Sequence, residues 1–246
     1  MWKYIFEFCD FLFSMIPVKK WRDYMQIQVL FDYKRKFNAL RSKYKNINFH
    51  NMRLTKGGGS IVFIINNQDT FKVRKYNFET NDFERFNREK EITDGLDELR
   101  KLTKIQFPKI EFVKIHGYTF YKTNYIPGKL LVSISAYKIK KYQDKISDQL
   151  AEFIYKKSLL DPKSLQKKRG DIQPNYSWIH SDMCSNILID PKTMDITGII
   201  DWEWAKYAPT EREFYGLVRV RKKMRKIGID KSTKIAFDKI TNKNKK

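Results

Sequence analysis

The sequence predicts an α+β chain of two lobes, a small β-rich one and an α-rich one, preceded by N-terminal helices. Apolar runs of strand length, bounded by turn residues, cluster between residues 50 and 127. Helical periodicity dominates the chain after Gly128. Apolar residues at helical spacing also fill the first 45 residues. On this reading residues 1–48 form an amphipathic, basic helical extension, 49–127 the first lobe, 128–240 the second and 241–246 a disordered tail.

In the extension, polar residues fall at positions 3, 7, 10 and 14. That leaves Trp2, Phe6, Phe8, Phe11, Leu12, Phe13 and Met15 on a wide apolar arc, which Pro17 ends. The run is too short and too charged (Lys3, Glu7, Asp10) to span a bilayer. It also lacks the basic start and small-residue cleavage site of a secretory signal. Two readings stand: an interfacial anchor with Lys19, Lys20 and Arg22 at headgroup level, or a helix packed on the core. A second helical pattern, Val18–Lys45, has Lys34, Arg35, Lys36, Arg41, Lys43 and Lys45 on its polar face, which suits an anionic surface or plain solvent.

The strand Ile61–Ile65 turns at Asn66–Asp69 into a returning strand, Thr70–Tyr76. A helix is expected over Asp82–Leu102. A second strand pair, Ile110–Ile115 and Tyr118–Tyr125, turns at His116-Gly117 and is broken by Ile126-Pro127-Gly128-Lys129. Ser133–Lys157 reads as helical, 161–175 as a polar loop, and 206–240 as helix again.

Composition narrows the function. At 246 residues the chain holds one substantial core or two small lobes. Fifty Lys+Arg against 28 Asp+Glu give a net charge of +22, a field that attracts polyanions or phosphorylated ligands. Cys9 and Cys184 are the only cysteines, which argues against a disulfide framework or a zinc site and for a reducing, cytoplasmic setting.

The richest stretch is Trp178-Ile-His180-Ser181-Asp182-Met-Cys-Ser-Asn186-Ile-Leu-Ile-Asp190, followed by Ile199-Ile200-Asp201-Trp202-Glu203. Two apolar runs joined by a Pro-Lys-Thr-Met-Asp turn set Asn186 and Asp201 at the ends of neighbouring strands, with Asp182 in the turn before them. One carboxylate can orient and deprotonate a hydroxyl, while an Asn and a second carboxylate hold Mg²⁺ against a nucleotide's phosphates. His180 reads as a structural turn residue rather than a base. Upstream, Gly57-Gly58-Gly59-Ser60 precedes a strand and can cradle phosphates through successive N–H groups, although taken alone a flexible turn is its default reading. Phe71, Val73 and Lys75 share one face of the returning strand, so if the first two face inward Lys75 does too and needs an anion; Lys72 and Arg74 point the other way, and a one-residue register slip would nominate them instead. Of Glu84, Glu89 and Glu91 on the following helix, Glu89 is the expected partner.

Taken in order, these segments resemble the aminoglycoside phosphotransferase and choline kinase group, the small-molecule branch of the protein-kinase-like fold. Gly57–Ser60 matches the nucleotide loop, Lys75 the strand lysine, Glu89 its helix partner, and Tyr125–Lys129 the hinge with its Pro-Gly. His180-Ser181-Asp182 resembles the catalytic motif, Asn186 the metal Asn and Asp201 the metal Asp, over a stretch of about residues 50–220. The resemblance implies a bilobal fold, ATP or GTP with Mg²⁺ as cofactors, Asp182 as the catalytic residue, and a small-molecule or glycan hydroxyl as acceptor. Two departures bear on activity. The family usually has one residue more between Asp182 and Asn186, and Ser181 replaces its usual Gly.

Met15–Arg22 further resembles segments beside domains of bacterial lipopolysaccharide and capsule biosynthesis enzymes. This agrees with residues 1–45 meeting an anionic membrane surface, with a peripheral position on the inner face of the membrane, and with a role in surface polysaccharide synthesis. The 11 Lys+Arg against two Asp+Glu of residues 221–246 disfavour a cationic acceptor. An inactive kinase-fold scaffold at the membrane is the alternative. A nucleic-acid binder is weaker, because no recognised module appears and the aromatics follow core periodicity.

Overall fold

Alternate residues of consecutive strands are buried, and that alternation builds the first of two units. The computed structural model describes residues 31–45, 52–56, 60–74, 81–160, 175–219 and 221–244, with single positions 12, 15 and 47. The first unit comprises residues up to Asp82 and Ile110–Tyr125, the second Phe83–Lys109 and Ile126–Lys246.

In the first unit, β1 (Met52–Lys56), β2 (Ser60–Ile65), β3 (Asp69–Arg74), β4 (Glu111–Ile115) and β5 (Tyr118–Asn124) form one antiparallel sheet in the order β1-β2-β3-β5-β4. Ile61, Phe63 and Ile65 of β2 and Phe71 and Val73 of β3 are buried on its inner face, as period two requires. Asn66 and Asn67 both have positive φ (52° and 56°), and Gln68 N–H donates to the Ile65 carbonyl at 2.9 Å, a type I′ turn. His116 and Gly117 (46° and 78°) repeat that device between β4 and β5.

Helix α1 (Phe31–Lys43) covers the inner face with Phe37 and Leu40, the Phe37 ring 6.3 Å from that of Phe63. Lys34, Arg35, Arg41 and Lys43 are exposed as expected, but Lys36 is not. It is fully buried, its ammonium 5.9 Å from the centre of the Tyr118 ring, so the polar face is narrower than the pattern suggested. The apolar arc of residues 1–16, most of the second helical pattern before Phe31, and most of the 161–175 loop lie outside the described residues.

In the second unit the expected Asp82–Leu102 helix is divided into α2 (Asn81–Gly95) and α3 (Asp97–Leu102) at the fully buried Leu96. Ile92, Leu96, Leu99, Ile105 and Phe107 join the core of the residues after 126, so Phe83–Lys109, which the sequence reading put in the first lobe, belongs to the second unit. That core is held by α4 (Ala136–Lys141), α5 (Gln143–Ser158), α6 (Arg212–Gly216), α7 (Lys222–Ile227) and α8 (Ile229–Lys243), with α8 packed on α5. The predicted hairpin forms as β8 (Ile187–Ile189) and β9 (Ile196–Ile199), and β6 (Lys129–Leu130) adds to β8.

Residues 206–240 are not all helix. Lys206–Pro209 is a strand, β10, paired antiparallel with β7 (Tyr176–Ile179), and its Pro209 ends the strand where its missing donor costs nothing. Thr241–Lys243, expected in a disordered tail, are instead helical, since α8 runs to Lys243 on the apolar residues Ile229, Ala236 and Phe237.

Beside β9, Gln106 accepts from Ile199 N–H (2.8 Å) and donates to Thr197 (3.0 Å) through its backbone. Gly198 permits this approach, because a Cβ there would lie 2.8 Å from the Gln106 carbonyl oxygen and 2.5 Å from Ile126 Cγ2. Gly198→Ala should therefore destabilise the second unit by about 1–3 kcal/mol in denaturant melts.

Candidate active site

The turn after β7 is fixed by a ring and by a carboxylate. His180 is fully buried and accepts at Nδ1 from the Asp182 N–H (3.4 Å), which leaves the proton on Nε2 to donate to the Ile200 carbonyl at 2.9 Å. Burial pushes its pKa below the ordinary 6.5 against the pull of Glu213, so the imidazole is neutral. That agrees with a structural rather than a basic His180. The ring also packs tilted against that of Trp202, centroids 4.7 Å apart, and Trp202 is itself fully buried.

Ser181 sits at φ 69°, the left-handed region where the resembled family has Gly. Asp182 follows, half-buried, at the residue before the short 3₁₀ turn Met183–Ser185, with no capping hydrogen bond from its side chain. Asn186 N–H donates to the Met183 carbonyl (2.9 Å), and Asn186 Nδ2 donates to the Asp182 carbonyl (2.9 Å). The loop thus closes with three intervening residues. Ile200 N–H donates to the Asn186 carbonyl at 3.0 Å, tying the two arms of the hairpin together. Asp201 lies just beyond, at φ 65°.

The geometry therefore holds Asp182, Asn186 and Asp201 around one hairpin end. With Nδ2 turned to the loop backbone, Oδ1 is the polar end of Asn186 that remains for a ligand. An amide oxygen and carboxylates are hard donors that suit Mg²⁺. Among the described residues no group of three or more His, Cys, Asp or Glu side chains is placed to hold a metal ion.

The other predicted residues fare differently. Gly57, Gly58, Gly59 and Lys75 lie outside the described residues. Ser60 is buried at the start of β2, in register with Arg74. Glu89 is buried on α2, and its Oε1 accepts from Trp202 N–H at 2.9 Å, one residue after Asp201.

Sequence reasoning missed the pair behind the turn. Glu213 of α6 accepts from His180 N–H (2.8 and 3.2 Å to its two oxygens) and from Lys157 Nζ (2.7 Å). Both side chains are fully buried. Burial lowers the Lys157 pKa, and Glu213 counters it. The available signal was position, since Lys157 continues the apolar stripe Ile146, Leu150, Phe153 and Ile154 of α5.

Comparison with known proteins agrees with this architecture. No family model and no curated protein matches the sequence. Solved structures do. An aminoglycoside 2'-phosphotransferase-IIIa in complex with GDP matches with a TM-score of 0.63 and 13% identity, over 83% of this chain and 82% of that one. Aminoglycoside phosphotransferase APH(2'')-Ib with ADP bound gives 0.57 and 16% over 83% and 85%. APH(3'')-Id from Streptomyces rimosus gives 0.54 and 13% over 84% and 92%. The chain has the α+β, protein-kinase-like fold of these phosphotransferases.

Two measurements check the buried network. Lys157→Met leaves the Glu213 carboxylate without its cation and should cost about 3–5 kcal/mol in chemical denaturation. Adding Glu213→Leu should recover only part, because His180 N–H then loses its acceptor. For His180, the unfolded chain takes up the proton first as pH falls below 6.5, so its contribution is complete above that pH and is lost on acidification. The melting temperature should accordingly drop between pH 7.5 and 5, and less steeply in His180→Gln.

Proposed function

We propose that the protein is a phosphotransferase that moves the terminal phosphoryl group of ATP or GTP to an alcohol. The observation that carries this is the hairpin end itself, where hydrogen bonds through Ile200 hold Asp182, Asn186 and Asp201 in one fixed frame. The nucleotides named with the similar structures, GDP and ADP, support it.

In this reading Asp182 is the catalytic residue: its carboxylate orients the acceptor hydroxyl and accepts its proton as the new P–O bond forms. Asn186 Oδ1 and the Asp201 carboxylate would hold Mg²⁺, which when bound supplies neutralisation of the phosphate charge. The backbone of Gly57, Gly58, Gly59 and Ser60 would cradle the phosphates, with Lys75 and its partner Glu89 completing the nucleotide contacts. His180 and Glu213 act earlier, by holding the backbone from which Asp182 projects. Such catalysis is positioning and charge stabilisation, with little covalent work by the protein.

The acceptor is a small molecule or a glycan, and surface polysaccharide synthesis at the inner face of the membrane is its setting in this proposal. The basic extension supports that setting. Among the described residues no helix is long and apolar enough to cross a membrane.

The test combines binding with turnover. ATP·Mg²⁺ or GTP·Mg²⁺ should raise the melting temperature, and an acceptor panel of sugars, choline and aminoglycosides should reveal transfer. Asp182→Asn should lower turnover by about 10²–10⁴-fold while leaving the melting curve in place. Turnover unchanged in that variant would sink the assignment. Nucleotide binding without transfer to any acceptor would instead favour the scaffold.

A further inference from the structure

Leu217, Val218, Met224, Ile227 and Ile229 anchor their segment in the second unit's core. The cations between them are left outside: Arg219, Arg221, Lys222, Arg225 and Lys226 are exposed. Between Glu213 and Asp230 the sequence contains no carboxylate to offset them. None of these five cations forms an ion pair among the described residues.

Two contacts bring this segment to the loop that carries Asp182. Arg221 Nη2 donates to Ser185 Oγ at 3.4 Å, and Ser185 lies between Asp182 and Asn186. Lys223 Nζ donates to the Val132 and Ile134 carbonyls (2.6 and 2.7 Å), which pins the start of α7 and spends that ammonium on backbone. Arg221 is different. A guanidinium has donors to spare beyond one weak contact to a hydroxyl, and its fork matches a carboxylate or a phosphate.

We propose that Arg221 is a specificity determinant that binds an anion on the acceptor, so that the acceptor is an alcohol already bearing a carboxylate or a phosphate. The inference rests on the phosphotransferase reading for the hydroxyl's fate, but its anion site stands on the cation cluster alone. The anionic group docks on Arg221, within the field of Arg219, Lys222, Arg225 and Lys226, while a hydroxyl of the same molecule reaches Asp182. A polycationic acceptor would meet like charge at the same place. The reaction therefore adds a phosphoryl group to a compound that an earlier carboxylate-forming or phosphorylating step has made acidic.

Matched probes test it on the full chain: galacturonate against galactose, and glucose 6-phosphate against glucose, by titration calorimetry and then as acceptors. At least one acidic member should bind about tenfold or more tightly than its neutral parent, the effect of one charge-assisted hydrogen bond. The preference should weaken with added salt. Arg221→Gln should abolish it, and Arg221→Lys should retain part. Equal binding of acid and parent, no binding of either acid, or a preference that survives Arg221→Gln would each overturn the proposal. Anion preference without transfer to any acceptor would remove the phosphotransferase reading and leave the anion site. Transfer that favours neutral sugars or aminoglycosides would do the reverse.

Discussion

The Glu213 carboxylate is the constraint on which the rest of the site depends. It is removed from water and satisfied from two sides, by the Lys157 ammonium and by the backbone N–H of His180. An ion pair in such a place contributes little net stability, since desolvating both charges offsets their attraction. Its effect is on geometry. It joins α5, α6 and the end of β7 at one point, and β10 pairs with β7 just before α6 begins. The residue that starts the Asp182 loop is therefore held by groups that cannot relax into solvent.

From that point the order passes inward through aromatic packing. The Trp202 ring lies 4.7 Å from His180, 6.0 Å from Phe107 and 6.4 Å from Phe153, and its indole N–H donates to the Ile199 carbonyl. The Lys157 ammonium stands 5.8 Å from the same ring, so the buried cation is stabilised by a quadrupole as well as by Glu213. Trp202 follows Asp201 directly, and its backbone N–H is taken by Glu89. The two carboxylate-bearing arms of the hairpin end are thus braced by one rigid indole. Asp201 retains a left-handed backbone for which Gly would be the easier residue, a cost this surrounding packing sustains.

Much of this was legible from the chain. Strands β2 to β5 announce themselves through period-two apolar runs, and Asn66-Asn67 and His116-Gly117 are residues that tolerate the positive φ their turns need. Asp182, Asn186 and Asp201 stand out because their spacing around two apolar strands is specific. What stayed hidden is short or disguised. β1 spells Met-Arg-Leu-Thr-Lys and β10 Lys-Tyr-Ala-Pro, each too short for a pattern to stand out from its surroundings. Lys157, Lys36 and Glu213 are charged residues in apolar positions, and a lone sequence gives a buried charge no mark that distinguishes it from a solvated one. Their identity is fixed by partners far away in the chain, 56 residues away in the case of Lys157 and Glu213.

The tight loop also encloses Cys184, fully buried beside Asp182, and burial pushes its thiol up to about 11. At neutral pH only about one molecule in 10⁴ would carry a thiolate there, and that one out of reach of solvent. A thiol-specific reagent can then modify Cys184 only when the 3₁₀ turn opens. The chain contains its own clock for local unfolding of this loop, and the modification rate, read against ligands or buffer, converts directly into how often the loop breathes.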